Sequence, residues 1–243
     1  MRKVAFITGA SGGIGSACAR TLAKDGYAVA IGFSSNESAA NELSAELKSQ
    51  GFDALAVQCD ITDSGSIASA VSLIEKDLGI ISVLVNNAGI ANISLFTDNS
   101  YNDLRRMLDT DLLGAMELSR QVLPAMIREK CGNIINISSV WGEKGASCEV
   151  AYCAAKAGLI GFTKALAREE APSGIRVNCI SCGYIDTKMN SELSDEDKQA
   201  VLDEIPAGRF GTPQDVAGAV SFLVSEKAGY ITGQVIRVDG CWI

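Results

Sequence analysis

The chain of 243 residues contains no histidine, only four prolines, and fewer basic than acidic residues: 21 Lys and Arg against 29 Asp and Glu, a formal charge of -8. Without histidine a Ser-His-Asp triad cannot be built and no metal site can draw on imidazole. Proton transfer therefore has to fall to Tyr, Lys, Asp, Glu or Cys. The acidic balance disfavours a phosphate-backbone footprint, which needs clustered Lys and Arg, so nucleic acid is not an expected partner. Long apolar runs are missing too: no segment reaches the roughly 18 uninterrupted apolar residues of a membrane span. The opening MRKVAFITGA is broken by glycine before the apolar core of a secretory signal can form. We expect no membrane association and a cytoplasmic protein. There is no proline-rich linker, no block of like charge and no repeat of about 20 to 50 residues, which leaves one domain over 1–243 as the economical reading.

The eight cysteines (Cys18, Cys59, Cys131, Cys148, Cys153, Cys179, Cys182 and Cys241) are scattered through apolar segments. Buried thiols in a reducing compartment are the simplest account. Cys179 and Cys182 have CxxC spacing, but a zinc ribbon needs a second such pair and a redox site needs a helix start just after it, so no metal is expected.

What is present is rhythm. The runs KVAFIT, YAVAIGF, ALAVQC, ISVLVNN, GNIINIS, IRVNCIS and QVIRVD have strand length, and all but the last lead into a helical or loop segment. Near-continuous apolar strands alternating with helices imply a parallel sheet covered on both faces. The expected fold is α/β, a Rossmann-type doubly wound sheet of about seven parallel strands with helices on both faces. Residues 101–129 carry one amphipathic pattern (Leu104, Met107, Leu108, Leu112, Met116, Leu118, Val122) and predict a single long helix with Pro124 near its end. Residues 184–212 break the alternation with a polar, acidic insertion, a candidate lid over a site. Thr212, Pro213 and Asp215 then read as a helix start.

After the first strand comes TGASGGIG, Thr8 to Gly15. Glycines 9, 12, 13 and 15 remove Cβ atoms where a strand turns into a helix, which lets backbone approach a pyrophosphate at the helix N-terminus. On its own this is only a tight turn; at the head of a doubly wound pattern it points to a dinucleotide. A P-loop is excluded, since no Gly-Lys followed by Ser or Thr is present. The second strand ends in Gly32, Phe33, Ser34 and Ser35. The carboxylate that would bind a ribose 2'-hydroxyl and repel a 2'-phosphate is missing there, so NADP(H) is favoured, with NAD(H) as the alternative.

In AYCAAK, Tyr152 and Lys156 stand four apart. On a helix such residues share a face, and an ammonium beside a phenol favours phenolate and lowers its pKa from about 10. The same pair read by itself is equally a packed ring and a solvated amine.

Taken together, these motifs resemble the short-chain dehydrogenase/reductase family, and the resemblance runs the length of the chain in order. TGASGGIG is similar to its glycine loop, here Gly9, Ser11, Gly12, Gly13, Ile14 and Gly15. Asp60, followed by Ile61, matches its adenine-contacting aspartate, and NNAG at 86–89 its motif after the fourth strand. ISSVWG supplies a serine, Ser139, thirteen residues before Tyr152, and YCAAK its YxxxK. The resemblance implies that Ser139 hydrogen-bonds a substrate carbonyl, that Tyr152 protonates it, and that Lys156 holds the cofactor ribose and tunes the tyrosine. It implies that Asn87, Ala88 and Gly89 border the ribose and that Gly183, Ile185 and Thr187 flank the nicotinamide. Three positions depart from the family pattern. Asp111 in DLLG replaces an asparagine that helps hold a relay water, and takes its place in the catalytic set. Cys182-Gly183 replaces Pro-Gly after the sixth strand and is expected to loosen that turn. Gly12 stands where NADP-dependent relatives carry a basic residue.

GFTKALARE, IPAGRFGTPQDVAGAVSFLVS and YITGQVIRVDG resemble the later segments of 3-oxoacyl-(acyl-carrier-protein) reductases. That likeness implies a carrier-linked ketone substrate, docking of acyl carrier protein near the cleft with Lys130 at one basic position and Ser173 at another, and a homotetramer. In that tetramer the long helix and the Tyr152 helix would meet across an interface through Ala151, Ala155 and Gly158, although such small residues equally suit helix-on-sheet packing. SSVWGEKGASCEV resembles instead reductases of the 5-aminopentanone group on elongation factor P. A dinucleotide-binding sensor or scaffold with weak chemistry is the alternative of another class.

Overall fold

The computed structural model describes residues 3–187 and 194–243. The seven apolar runs are strands: β1 (Val4–Ile7), β2 (Ala28–Phe33), β3 (Ala54–Gln58), β4 (Ile81–Asn86), β5 (Gly132–Ser139), β6 (Ile175–Cys182) and β7 (Val235–Val238). They form one parallel sheet in the order β3-β2-β1-β4-β5-β6-β7. The order reverses between β1 and β4, and that is where open α/β sheets leave a crevice at the carboxyl ends of their strands.

Side chains alternate across the sheet as a period of two requires. Ala5 and Ile7 join one core with Leu22, Leu43, Val220 and Leu223. Val4 and Phe6 join the other with Ile67, Ile74, Leu118, Val122 and Met126. Helices α1 (Gly13–Lys24), α2 (Glu37–Ser49) and α9 (Pro213–Val224) therefore cover one face, and α3 (Ser64–Asp77), α5 (Gly114–Glu129) and α7 (Val150–Glu170) the other. Burying a side chain such as Phe6 or Ile74 stabilises the fold by about 1.5–3 kcal/mol. Cys179 and Cys182, three apart on β6, point to opposite faces: Cys182 joins the first core, while Cys179 shares the alternate face with Val177. The expected helix start at 212 is a capping box, with Asp215 N donating to Thr212 Oγ1 (3.3 Å), Thr212 N donating to Asp215 Oδ2 (2.7 Å), and Pro213 in the first turn.

One expectation needs correction. Residues 101–129 are not one regular helix: α4 (Tyr101–Leu108) and α5 flank a π-helical turn, Asp109–Leu113. The apolar spacing tolerates one extra residue per turn, and the wider turn carries Asp111 inward until it is buried. The small residues of α7 also serve the chain itself: Ala155 is fully buried, and a Cβ at Gly158 would lie 2.8 Å from Leu112 of the π turn.

By length and composition Val150–Ser173 is apolar enough to cross a bilayer. Here the helix lies on β5 and β6 and buries Lys156, Thr163 and Glu170. The candidate lid leaves and rejoins the fold at one place, where Ile185 bridges Gly211 and the rings of Tyr184 and Phe210 lie 4.3 Å apart. It contains α8 (Asp195–Glu204), while its residues 188–193 lie outside the described residues.

Candidate active site

The expected site residues are gathered along one edge of the sheet. Gly9 follows β1, Ser34 follows β2, Asp60 follows β3, Asn87 follows β4, Ser139 ends β5 and Gly183 follows β6. The two middle loops are stapled together by Thr8, a residue outside the expected set. Its hydroxyl accepts from Asn87 N and Ala88 N, both at 3.0 Å, while Asn87 Nδ2 donates to Thr8 O at 2.9 Å and Gly9 O at 3.3 Å.

The glycine loop has little room. A Cβ at Gly15 would sit 2.6 Å from both Gly9 O and Asn87 Nδ2. α1 is capped by Gly12, with no side-chain cap and no acidic residue in its first turn, so its positive dipole end suits an anion. Thr187 leans onto the loop, with Cγ2 3.3 Å from where a Cβ at Gly13 would stand. These features fit the pyrophosphate of a dinucleotide. Overpacking of this kind costs about 1–3 kcal/mol, and Gly15→Ala is expected to lower the melting temperature and weaken dinucleotide binding about tenfold or more. Calorimetric titration beside thermal melts checks it, and unchanged affinity would detach the loop from the dinucleotide.

Behind the cleft, α7 sets Tyr152 and Lys156 against β5. Ser139 acts on the Tyr152 phenol, and its hydroxyl accepts from Trp141 N at 3.2 Å. Lys156 Nζ lies over the Tyr152 ring, 5.5 Å from its centroid, and donates to Ile137 O at 3.2 Å. Its ion pair is with Asp111: Nζ stands 3.1 Å from Oδ2, and both side chains are buried. Asp111 Oδ1 accepts from Ile90 N at 2.8 Å. Gly89 makes room for the pair, since a Cβ there would fall 2.7 Å from Asp111 Oδ2 and 3.3 Å from Lys156 Nζ.

This geometry corrects the expectation for the tyrosine. Burial pushes the Tyr152 phenol up and Asp111 adds to the rise, while Lys156 and Ser139 pull down without offsetting it. For Lys156, burial pulls down, but the negative charge of Asp111 and the phenol outweigh it and the ammonium is held. The lysine, expected to hold the cofactor ribose and tune the phenol, is also paired with a carboxylate.

The remaining expected residues are distributed as follows. Ser34 and Ser35 are exposed, with Gln58 Nε2 donating to Ser34 O at 3.4 Å. The Asp60 carboxylate folds onto its own turn, accepting from Thr62 N at 2.9 Å and Thr62 Oγ1 at 2.7 Å, with Ile61 half-buried beside it. Ile185 is buried. The turn at Cys182-Gly183 is not loosened: Gly183 N donates to Val238 O at 3.0 Å, and Cys182 O accepts from Val140 N at 2.9 Å. Burial pushes the Cys182 thiol up to about 12. Lys130 lies at the opposite end of β5 from the cleft, because it precedes the strand while Ser139 ends it, and β5 itself spans about 23 Å at ~3.3 Å per residue. Ser173 sits at that same far end of the strands, before β6.

Sequence reasoning missed two clusters. Asn86 Nδ2 donates to Asn136 Oδ1 (2.8 Å) and Asn136 Nδ2 to Thr163 Oγ1 (2.8 Å), a buried chain tying β4, β5 and α7 together beneath the site. Asparagines inside the apolar runs ISVLVNN and GNIINIS were the available signal. Trp242 packs edge-on against Trp141, with centroids 4.8 Å apart, and its Nε1 donates to Glu204 of α8 at 3.0 Å. No local pattern announces that contact. Beside the start of α7 lies a cavity of about 260 Å³ lined by Asn92, Asn99, Asp103, Arg106, Cys148 and Glu149, among others.

A doubly wound parallel sheet with an open helix N-terminus at its switch point and a Ser-Tyr-Lys cluster beside it defines an oxidoreductase that uses a nicotinamide dinucleotide. The family profile described as enoyl-(acyl carrier protein) reductase matches residues 9–242. An uncharacterized oxidoreductase of Bacillus subtilis, YmfI, is 42% identical over 243 residues, covering 100% of this chain and 99% of the relative. The 3-oxoacyl-[acyl-carrier-protein] reductase FabG of Staphylococcus aureus is 41% identical over 240 residues (99% of this chain, 98% of the relative). FabG of Salmonella typhimurium is 43% identical over 241 residues (98% and 96%). The chain belongs to the short-chain dehydrogenase/reductase family.

Proposed function

We propose that this protein reduces the ketone of a 3-oxoacyl thioester, with NADPH as the favoured reductant. The observation that carries the reading is the buried Lys156 ammonium held 5.5 Å from the centroid of the Tyr152 ring on α7, with Ser139 acting on the phenol from the end of β5. A bound nicotinamide dinucleotide supplies hydride. Ser139 orients the carbonyl oxygen, and Tyr152 gives it a proton as negative charge develops there. The phenolate left behind recovers a proton from solvent. Donors fixed on that oxygen stabilise the transition state more than the ground state. Gly12, Gly13 and Gly15 would hold the pyrophosphate on α1, and Ser34 and Ser35 leave space and hydroxyl donors for a 2'-phosphate.

The names of the two FabG relatives support a thioester linked to a carrier protein. An acidic carrier held at Lys130 would reach the cleft of another copy rather than its own. Carrier docking there and a homotetramer thus belong to one reading, to which the exposed Leu113 of the π turn and Met116 of α5 lend an apolar surface.

A second reading, reduction of the 5-aminopentanone group on elongation factor P, draws on the cavity at the start of α7. Asp103 and Glu149 line it beside one cation, Arg106, and that excess of carboxylates suits an amine-bearing ketone better than an aliphatic acyl chain. Oxidation of NADPH and of NADH is to be measured side by side with acetoacetyl thioesters and with ketone-modified elongation factor P. We expect turnover of the thioesters with NADPH preferred; turnover confined to the modified protein would replace the first reading with the second.

A further inference from the structure

Asp111, at the position where the family resemblance implies an asparagine, is buried inside the site. Its two oxygens are committed differently: Oδ1 takes the backbone N–H of Ile90, and Oδ2 faces Lys156 Nζ at 3.1 Å. Lys156 is held on its other side by Ile137 O. Gly89 leaves the pair in direct contact. We infer that Asp111 is a positioning residue that, through its ion pair with Lys156, keeps the proton on Tyr152 and holds the site in its ketone-reducing form. The inference rests on the Ser139, Tyr152 and Lys156 roles proposed above and concerns what sets the direction of their proton.

The physical argument is a balance of charges. A lysine ammonium close to a phenol stabilises phenolate. With a carboxylate 3.1 Å from that ammonium, the phenol faces a nearly neutral pair instead of a lone cation. The titratable groups that act on Tyr152 and Lys156 are each other, Asp111 from the π turn and the thiols of β6, Cys179 on the α7 face and Cys182 from the opposite face. Burial pushes both thiols up to about 12, so they remain neutral near neutral pH. Asp111 is therefore the carboxylate in direct contact with the pair. The directions agree with this geometry, since Asp111 pushes the phenol up and holds the ammonium. A phenol that keeps its proton is ready to give it to a ketone oxygen, whereas alcohol oxidation needs the phenolate as base.

Asp111→Asn keeps the shape and removes the charge. The test is an ultraviolet titration of tyrosinate on the substrate-free protein from about pH 7 to 11, bracketing the ordinary tyrosine value. Tyr152 is isolated by subtracting the trace of Tyr152→Phe, with and without Asp111→Asn. Its phenolate is expected to form at lower pH in Asp111→Asn, and alcohol oxidation at pH 7, relative to pH 9, to rise several-fold. Coincident Tyr152 titrations, or an unshifted pH profile beside a uniform loss of rate, would overturn the inference. If Asp111→Asn does not fold, Asp111→Ser is titrated against the same two outcomes. The titration needs no substrate, so it decides the role of Asp111 even if every ketone tried is inert, a result that would count against the proposed reaction alone.

Discussion

Replacing Tyr152 with phenylalanine is expected to lower kcat for ketone reduction by about 10²- to 10⁴-fold, the usual contribution of a positioned general acid, while NADPH binding is retained. The ring keeps its packing and its place under Lys156 Nζ, 5.5 Å away, so the loss isolates the hydroxyl. Ser139 remains as a donor at the end of β5 and leaves some polarisation of the carbonyl, which is why a residual rate should survive. The pH dependence of the unsubstituted enzyme follows from the same group. The acid works only while protonated, and the phenol is pushed up from its ordinary range by burial and by Asp111. Reduction should thus hold through neutral pH and fall only as pH rises through that elevated value. Steady-state NADPH oxidation across a ketone panel measures both effects. A Tyr152→Phe protein that oxidises NADPH as fast as its parent would mean that the cluster is not the acid, and that a dinucleotide-binding sensor or scaffold describes the chain better.

Much of the fold could be read from the chain because each central strand is apolar on both faces, and runs such as ISVLVNN and IRVNCIS announce a sheet covered on both sides. The π turn could not, because the spacing from Leu104 to Val122 accommodates a helix with or without one inserted residue; only the fold decides which way Asp111 turns. The pairing of Asp111 with Lys156 was hidden for the same reason, although DLLG marked the position as unusual. Sequence order also says nothing about which end of a strand faces the cleft until the strands are laid side by side. Lys130 and Ser139 are nine residues apart, yet they stand at opposite ends of β5. The contact of Trp242 with Trp141 joins parts of the chain about 100 positions apart, beyond the reach of any local pattern.

Lys156→Met should do more than stop the reaction. The methionine fills the aliphatic volume but leaves the Asp111 carboxylate, itself fully enclosed, without its counter-charge. Breaking a buried pair from one side typically costs about 3–5 kcal/mol. For a chain of this size each kcal/mol lowers the melting temperature by about 2–4 °C, so a drop of about 6–20 °C is expected. Adding Asp111→Leu removes the orphaned charge, and the double variant should recover most of that loss, because an apolar pair in place of a buried ion pair is often neutral or stabilising. Activity should not return, since no cation then stands behind Tyr152. The two single variants and the double variant form a cycle whose coupling energy is read from thermal or denaturant melts. Strict additivity would mean that Asp111 and Lys156 do not depend on each other in the folded protein. Recovery of stability without recovery of rate would instead separate what the pair does for the core from what Lys156 does for the tyrosine.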